Sequence, residues 1–179
     1  MRVIAGLLGG RSFDSPKGHR THPMSDKIRG AIFNMLGDLD GLRLLDAYAG
    51  SGALAIEAVS RGALYVVAVD SDKTAYRTIL RNVQALGIGA RVHAMRQNVA
   101  TWSHEHEHEL FDIVIADPPY DDVRLAYIEL LTNHVKPRGL LVLSWPGGIM
   151  PPDAGAWGFE QVVHKTYGDA QLVIYERSL

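Results

Sequence analysis

Leu42 to Gly62, LRLLDAYAGSGALAIEAVSRG, contains the transition on which the architecture turns. LRLLD (42–46) is a short apolar run closed by a carboxylate and reads as a strand. AGSG (49–52) supplies turn chemistry, and ALAIEAVSRG (53–62) reads as a helix stopped at Gly62. The same alternation continues downstream. LYVVAVD (64–70) predicts a second strand, and Lys73 to Leu86 a helix that stops at Gly87. ARVHAMRQ (90–97) and FDIVIAD (111–117) predict two more strands, VRLAYIELLTNHV (123–135) a helix, and GLLVLSW (139–145) a fifth strand. Strands alternating with helical patterns imply an α/β fold, a mostly parallel sheet with helices on both faces. The period then changes: FEQVVHKTY (159–167) and AQLVIYERS (170–178), separated by Gly168-Asp169, predict a C-terminal antiparallel hairpin.

Upstream, MRVIAG (1–6) is strand-like and Gly9 to Pro23 a loop. A helix starts near the N-cap candidate Ser25, with Ile28, Ala31, Ile32, Met35 and Leu36 on one face and Gly37 ending it. Two parts are expected, a basic N-terminal extension over 1–37 and the main domain over 38–179. The 179 residues suit this size, and 47% hydrophobic against 21% charged residues excludes the composition of a disordered chain. No apolar run reaches membrane-spanning length, and that of MRVIAGLLGGR is too short for a signal peptide, so a cytoplasmic location is expected. The absence of cysteine excludes disulfides, thiolate catalysis and the common structural zinc sites.

The net charge of −2 hides an asymmetry. Residues 1–30 carry six basic groups against two acids and net +4, leaving −6 for the remainder. A local positive segment can hold phosphates on an acidic body, because the attraction acts over about a Debye length.

In an open parallel sheet, ligands bind beyond the carboxyl ends of the strands. Gly50 and Gly52 allow a tight turn and a close ligand approach, and Asp70, ending the second strand, is placed to accept from two ribose hydroxyls. Gly50 to Ala55 satisfies G-x-G-x-x-A, which keeps a nicotinamide-dependent oxidoreductase open. Asp46, directly before the turn, suits the cationic amino group of S-adenosylmethionine (SAM), which has a ribose but no pyrophosphate.

Asp117-Pro118-Pro119-Tyr120 follows the apolar run FDIVIA. Two prolines fix two φ angles and remove two donors, making a rigid corner. Asp117 and the Pro118 carbonyl can accept both hydrogens of an exocyclic amine, while the Tyr120 ring, rather than its hydroxyl, offers a stacking face for a flipped base. A plain strand-terminating turn is the competing reading.

DAYAGSG (46–52), the acid ending the second strand and DPPY (117–120) resemble the amino-methyltransferase pattern of class I SAM-dependent enzymes, which have a Rossmann-like sheet. MRVIAG (1–6), GGR (9–11) and HPMSDKIRGAIFN (22–34) resemble the RsmD family, with Pro23, Asp26, Arg29, Phe33 and Asn34 matching its pattern and His22, Met24 and Gly30 departing from it. The resemblance implies methyl transfer from SAM to N2 of a guanine in small-subunit ribosomal RNA, within the assembling subunit or on free RNA, by a monomer. Other amino methyltransferases, acting on DNA adenine or protein glutamine, share the tetrapeptide, and a catalytically idle RNA-binding protein could keep the fold. It implies catalytic roles for Asp117, Pro118, Pro119 and Tyr120, and cofactor contacts from Asp46, Tyr48, Gly50, Gly52, Asp70 and Asn98. Asn98 stands where these enzymes often have Asp, and its amide oxygen is expected to accept from the adenine amino group. Arg11, Lys17, Arg20, His22 and Arg29 are the RNA-binding candidates. HEHEHE (104–109) is expected to be a solvated loop and not a metal site, and Trp102, Trp145 and Trp157 to be packed. Pro146 to Gly158 is expected to form a loop at the substrate end.

Overall fold

Burial is nearly continuous along the central strands, with successive residues packed in two separate core clusters, so the sheet has two covered faces. In the computed structural model, which describes residues 1–16 and 24–179, the seven strands are β1 (Arg43–Asp46), β2 (Tyr65–Val69), β3 (Val92–Met95), β4 (Phe111–Ala116), β5 (Val135–Pro146), β6 (Phe159–Tyr167) and β7 (Ala170–Arg177). Their order is β3-β2-β1-β4-β5-β7-β6. The first five are mutually parallel, and β7 joins β5 antiparallel as the inner arm of the terminal hairpin. Leu44, Val66, Ile113, Ile115 and Val142 face α1 (Asp26–Leu36), α2 (Ala53–Ser60) and α3 (Lys73–Leu86). Leu45, Val67, Val114, Leu141 and Leu143 face α4 (Val99–Glu105) and α5 (Leu125–Thr132). Near-continuous apolar strands follow from this double covering. Each fully buried aliphatic side chain contributes about 1.5–3 kcal/mol relative to exposure. The sheet, its parallel order and the hairpin agree with the sequence reading.

Three elements differ from it. Residues 99–105 form a helix that the sequence did not reveal, taking in His104 and Glu105 of the run expected as a solvated loop while 106–109 lie outside helix and strand: Asn98 caps it by accepting from the Thr101 amide (2.9 Å), and Trp102 anchors it. Trp102 is 1% exposed, stacked on His106 with centroids 5.0 Å apart and tilted against His134 at 4.7 Å. The His-Glu alternation is therefore not laid out along an extended segment, and among the described residues no cluster of three or more such groups could hold a metal ion. α5 ends at Thr132, and β5 begins at Val135 rather than Gly139. Lys136-Pro137-Arg138-Gly139 masks this start, because the chain there passes an irregularity in the β4–β5 pairing and Arg138 takes a φ of 63°. MRVIAG is not a full strand but half of a narrow hairpin in which Arg2 pairs with Ser12 and the Val3, Gly10 and Phe13 amides donate across to Arg11, Val3 and Met1.

That hairpin docks on α2 through buried polar groups. Glu57 is fully buried and accepts from the amides of Ile4 (2.9 Å) and Ala5 (3.0 Å), while the Ser60 hydroxyl accepts from Leu8 (2.9 Å). Gly6, with φ of 82°, crosses so close that a Cβ would sit 1.9 Å from the Ser60 carbonyl oxygen. Among the described residues no helix is long and apolar enough to cross a membrane.

Candidate active site

Parallel pairing brings the carboxyl ends of β2, β1 and β4 side by side, and each ends in or beside an aspartate. Asp46 pairs with Ala68 on one side and Ile115 on the other, placing Asp70 and Asp117 just beyond its two neighbours. Asp46 is 1% exposed, and neither carboxyl oxygen has a hydrogen-bond partner. Burial raises its pKa to about 8, and repulsion from Asp117 and then Asp70 adds to the rise. The Ala55 amide of α2, too poorly placed for a normal hydrogen bond, offsets part of it. A buried, unpartnered carboxyl group is costly and invites a cation.

The turn after β1 is fixed from outside. Gly50 (φ 56°) and Gly52 (φ 78°) both take left-handed backbone conformations. A Cβ on Gly50 would meet open space, whereas one on Gly52 would contact Ile79 at 3.4 Å. Gly50 thus leaves room for a ligand against the backbone, and Gly52 lets α3 pack. Asp70 accepts from the Gly50 amide (2.8 Å) through one oxygen and the Asp72 amide (2.8 Å) through the other, which aims its carboxylate across the turn. Tyr48 is half-buried beside Asp122, Arg124 and Tyr127, and burial pushes its hydroxyl up to about 12.

Asp117 lies at the start of the rigid corner, where burial raises its pKa and a hydrogen bond from Ser144 pulls it back. The Pro119 carbonyl closes the turn by accepting from the Asp122 amide (3.0 Å). Tyr120 is 39% exposed, and its hydroxyl lies 2.8 Å from that of Ser144. The residue is thus partly open to solvent while its hydroxyl is engaged, a contact that the sequence, which points to the ring for stacking, does not reveal. Ser144 escaped that reading. Its one signal is a polar residue among the apolar positions of LLVLSW, at the level of Asp117 by the pairing of Ala116 with Leu143.

Other assignments are corrected by the structure. Arg29 is completely buried: its guanidinium donates to the Arg2 carbonyl (2.5 Å) and Asp26 (2.9 Å) and lies 3.8 Å from Glu57. A group so enclosed has no face for phosphate, so Arg29 is withdrawn as an RNA contact. The exposed Arg11 spends its guanidinium on the carbonyls of Ala85 (3.1 Å) and Leu86 (3.2 Å) at the end of α3, a helix-capping role. Asn98 is exposed at the end of β3, but its amide oxygen already caps α4, so the expected acceptor is partly committed. Lys17, Arg20 and His22 lie outside the described residues.

Asn82 of α3 was also missed. Buried, it accepts from the Asp14 amide (2.8 Å) and donates to the Asp14 and Ser51 carbonyls (both 2.9 Å), joining the N-terminal segment to the glycine turn. A buried Asn satisfied by backbone three times has no sequence signature.

The family model described as Conserved hypothetical protein 95 matches residues 1–176. The protein YlbH of Bacillus subtilis (strain 168) is 32% identical, over 99% of this chain and 99% of its own length. Ribosomal RNA small subunit methyltransferase D of Haemophilus influenzae is 31% identical over 80% of this chain and 78% of its own. Among solved structures, the Escherichia coli chain yhhF superposes with a TM-score of 0.88 at 25% identity, covering 99% of this chain and 98% of that one.

Proposed function

Because the chain belongs to the Conserved hypothetical protein 95 family, that of the RsmD methyltransferases, we propose that it transfers a methyl group from SAM to the exocyclic N2 of a guanine in small-subunit ribosomal RNA. The observation that carries this reading is the row of three aspartates at adjacent strand ends, with the unpartnered Asp46 in the middle and the D-P-P-Y corner beside it.

The residues fit SAM. Asp46 would pair with its amino group, the open backbone at Gly50 would admit its body, and Asp70 would accept from its ribose. The same acids oppose the nicotinamide alternative, because a pyrophosphate against Gly50–Gly52 would lie beside buried carboxyl groups. When bound, SAM supplies an electrophilic methyl group on a sulfonium. Asp117 and the Pro118 carbonyl accept the two hydrogens of the target amine and aim its lone pair, and Tyr120 holds the base by stacking. Proximity and orientation then account for most of the rate. Asp117, held above the ordinary carboxylate range, is suited to take the proton that the nitrogen sheds after transfer. The basic groups of Lys17 and Arg20 would hold RNA phosphates.

Nucleoside mass spectrometry of ribosomal RNA from cells with and without the gene tests the proposal. Loss of one N2-methylguanosine, restored by the wild-type gene and not by Asp117→Ala, is the expected result. An unchanged methylguanosine content would overturn it.

A further inference from the structure

Ser144 sits on β5, 4% exposed, with its hydroxyl between the two side chains to which the tetrapeptide owes its chemistry. Its oxygen is 2.8 Å from the Tyr120 hydroxyl, and the pairing of Ala116 with Leu143 sets it at the level of Asp117, whose ionised form it favours. With the Ser144 proton turned to the Asp117 carboxylate, which only accepts when ionised, the Tyr120 hydroxyl donates to Ser144 across the 2.8 Å between them. The result is a one-way chain from Tyr120 through Ser144 to Asp117.

We propose that Ser144 is the positioning residue of this site: one buried hydroxyl on the neighbouring strand holds the amine-orienting carboxylate and the base-holding ring in a single geometry. The inference rests on the amino-methyltransferase reading above and adds a residue which that reading does not contain. Asp117 and Tyr120 flank the proline pair, which fixes the backbone of the corner but not the rotamers of the side chains on either side of it. Ser144 sits on an inner strand paired on both sides, with β4 and β7. Anchoring both loop side chains to a strand hydroxyl gives the corner a rigid support. The hydroxyl also stabilises the ionised form of Asp117 against its surroundings. The titratable groups around Asp117 are Asp46 at the end of β1 and Tyr120 in the same corner, with Asp70 beyond Asp46 and Asp169 beyond Tyr120.

The test compares Ser144→Ala and Ser144→Thr in the full-length protein. Asp117 is followed first in the ligand-free protein by carbon-13 carboxyl NMR titration. Ser144→Ala is expected to move its titration to higher pH, and Ser144→Thr, which keeps the hydroxyl, to restore it. An unmoved titration overturns the proposal whatever the substrate is. In single-turnover methylation of ribosomal RNA, Ser144→Ala is expected to slow transfer about tenfold and shift the acid limb of the pH profile upward, with SAM affinity within about twofold of wild type. A loss that Thr does not rescue, or one that leaves the acid limb in place, is packing damage and overturns the proposal. Tyr120→Phe in the Ser144→Ala background should add little, since both break one chain; multiplying effects overturn it. Should Ser144→Ala not fold, Tyr120→Phe alone, altering a partly exposed residue, must shift the acid limb, and an unmoved limb is equally fatal. Failure of the wild type to methylate RNA would count against the substrate reading and leave the NMR result standing.

Discussion

Asp46 carries the largest electrostatic cost in the site, and its consequences can be signed. Its folded pKa of about 8 lies far above the ordinary 3.8, so the folded chain holds a proton there that the unfolded chain releases between those values. The stability from this group is fully present below 3.8 and is lost as pH rises through about 8. Asp46→Asn should therefore flatten the decline in Tm of the ligand-free protein between pH 4 and 8. At pH 8.5 it should raise Tm by at least about 2–4 °C, the shift per 1 kcal/mol for a chain of this size. A parallel decline in both proteins would show that Asp46 is paired. The same substitution should weaken SAM binding, because an amide cannot neutralise a cation. Asp70→Ala should weaken SAM binding at least tenfold in calorimetry, by removing charge-assisted bonds and releasing the Gly50 amide; unchanged affinity in a folded variant would remove Asp70 from the cofactor site. Asp117→Ala should slow methyl transfer about 10²-fold while SAM still binds. Asp117→Asn separates positioning from proton acceptance: an amide oxygen accepts a hydrogen bond but takes no proton, so residual activity favours positioning.

At the level of elements, α2 is the hinge of the arrangement. Its first residues follow the glycine turn and its last receive the N-terminal hairpin, so the turn and the hairpin share eight residues of helix. Gly6→Ala would force a Cβ into the Ser60 carbonyl at a left-handed φ and should cost about 2–3 kcal/mol, read as a lower Tm and as early proteolysis of the hairpin. A Tm equal to wild type would show that the hairpin does not dock as described. Asn82→Ala leaves the Asp14 amide and the Ser51 carbonyl without their side-chain partner. It should weaken SAM binding by loosening the glycine turn that the bond to Ser51 holds. Arg11→Ala should fray the end of α3, visible as faster hydrogen exchange at Leu86 and Gly87, because it withdraws two donors from the final carbonyls.

Over the whole molecule, the charge asymmetry is smaller in effect than in count. Of the six basic groups in residues 1–30, Arg29 is buried and Arg11 is engaged with α3. A Lys17→Ala/Arg20→Ala variant should therefore lower the slope of log K for RNA against log salt by about 1.4–1.8, at 0.7–0.9 per phosphate contact, with SAM affinity unchanged. An identical slope would end their role as phosphate contacts. The parallel sheet, its terminal hairpin and the Asp46, Asp70 and Asp117 strand ends were legible in the sequence. Strand periodicity, glycine turns and a proline pair are local signals, and a strand end puts its residue at the sheet's carboxyl edge whatever surrounds it. α4 was hidden because its seven residues run into the polar His-Glu stretch and leave too short a pattern to show a helical period, although Trp102 is legible as packed. The start of β5 was hidden by a Lys-Pro-Arg-Gly segment. Arg29 and Ser144 mark the boundary most sharply. A basic residue near a glycine-rich loop and a serine in an apolar strand look the same in sequence whether buried or exposed, bonded or free. Only the packing of α1 against the N-terminal hairpin enclosed the arginine, and only the register of β5 against β4 brought the serine hydroxyl to Asp117. Burial and partner choice depend on residues far apart in the chain, and these the tertiary structure alone decides.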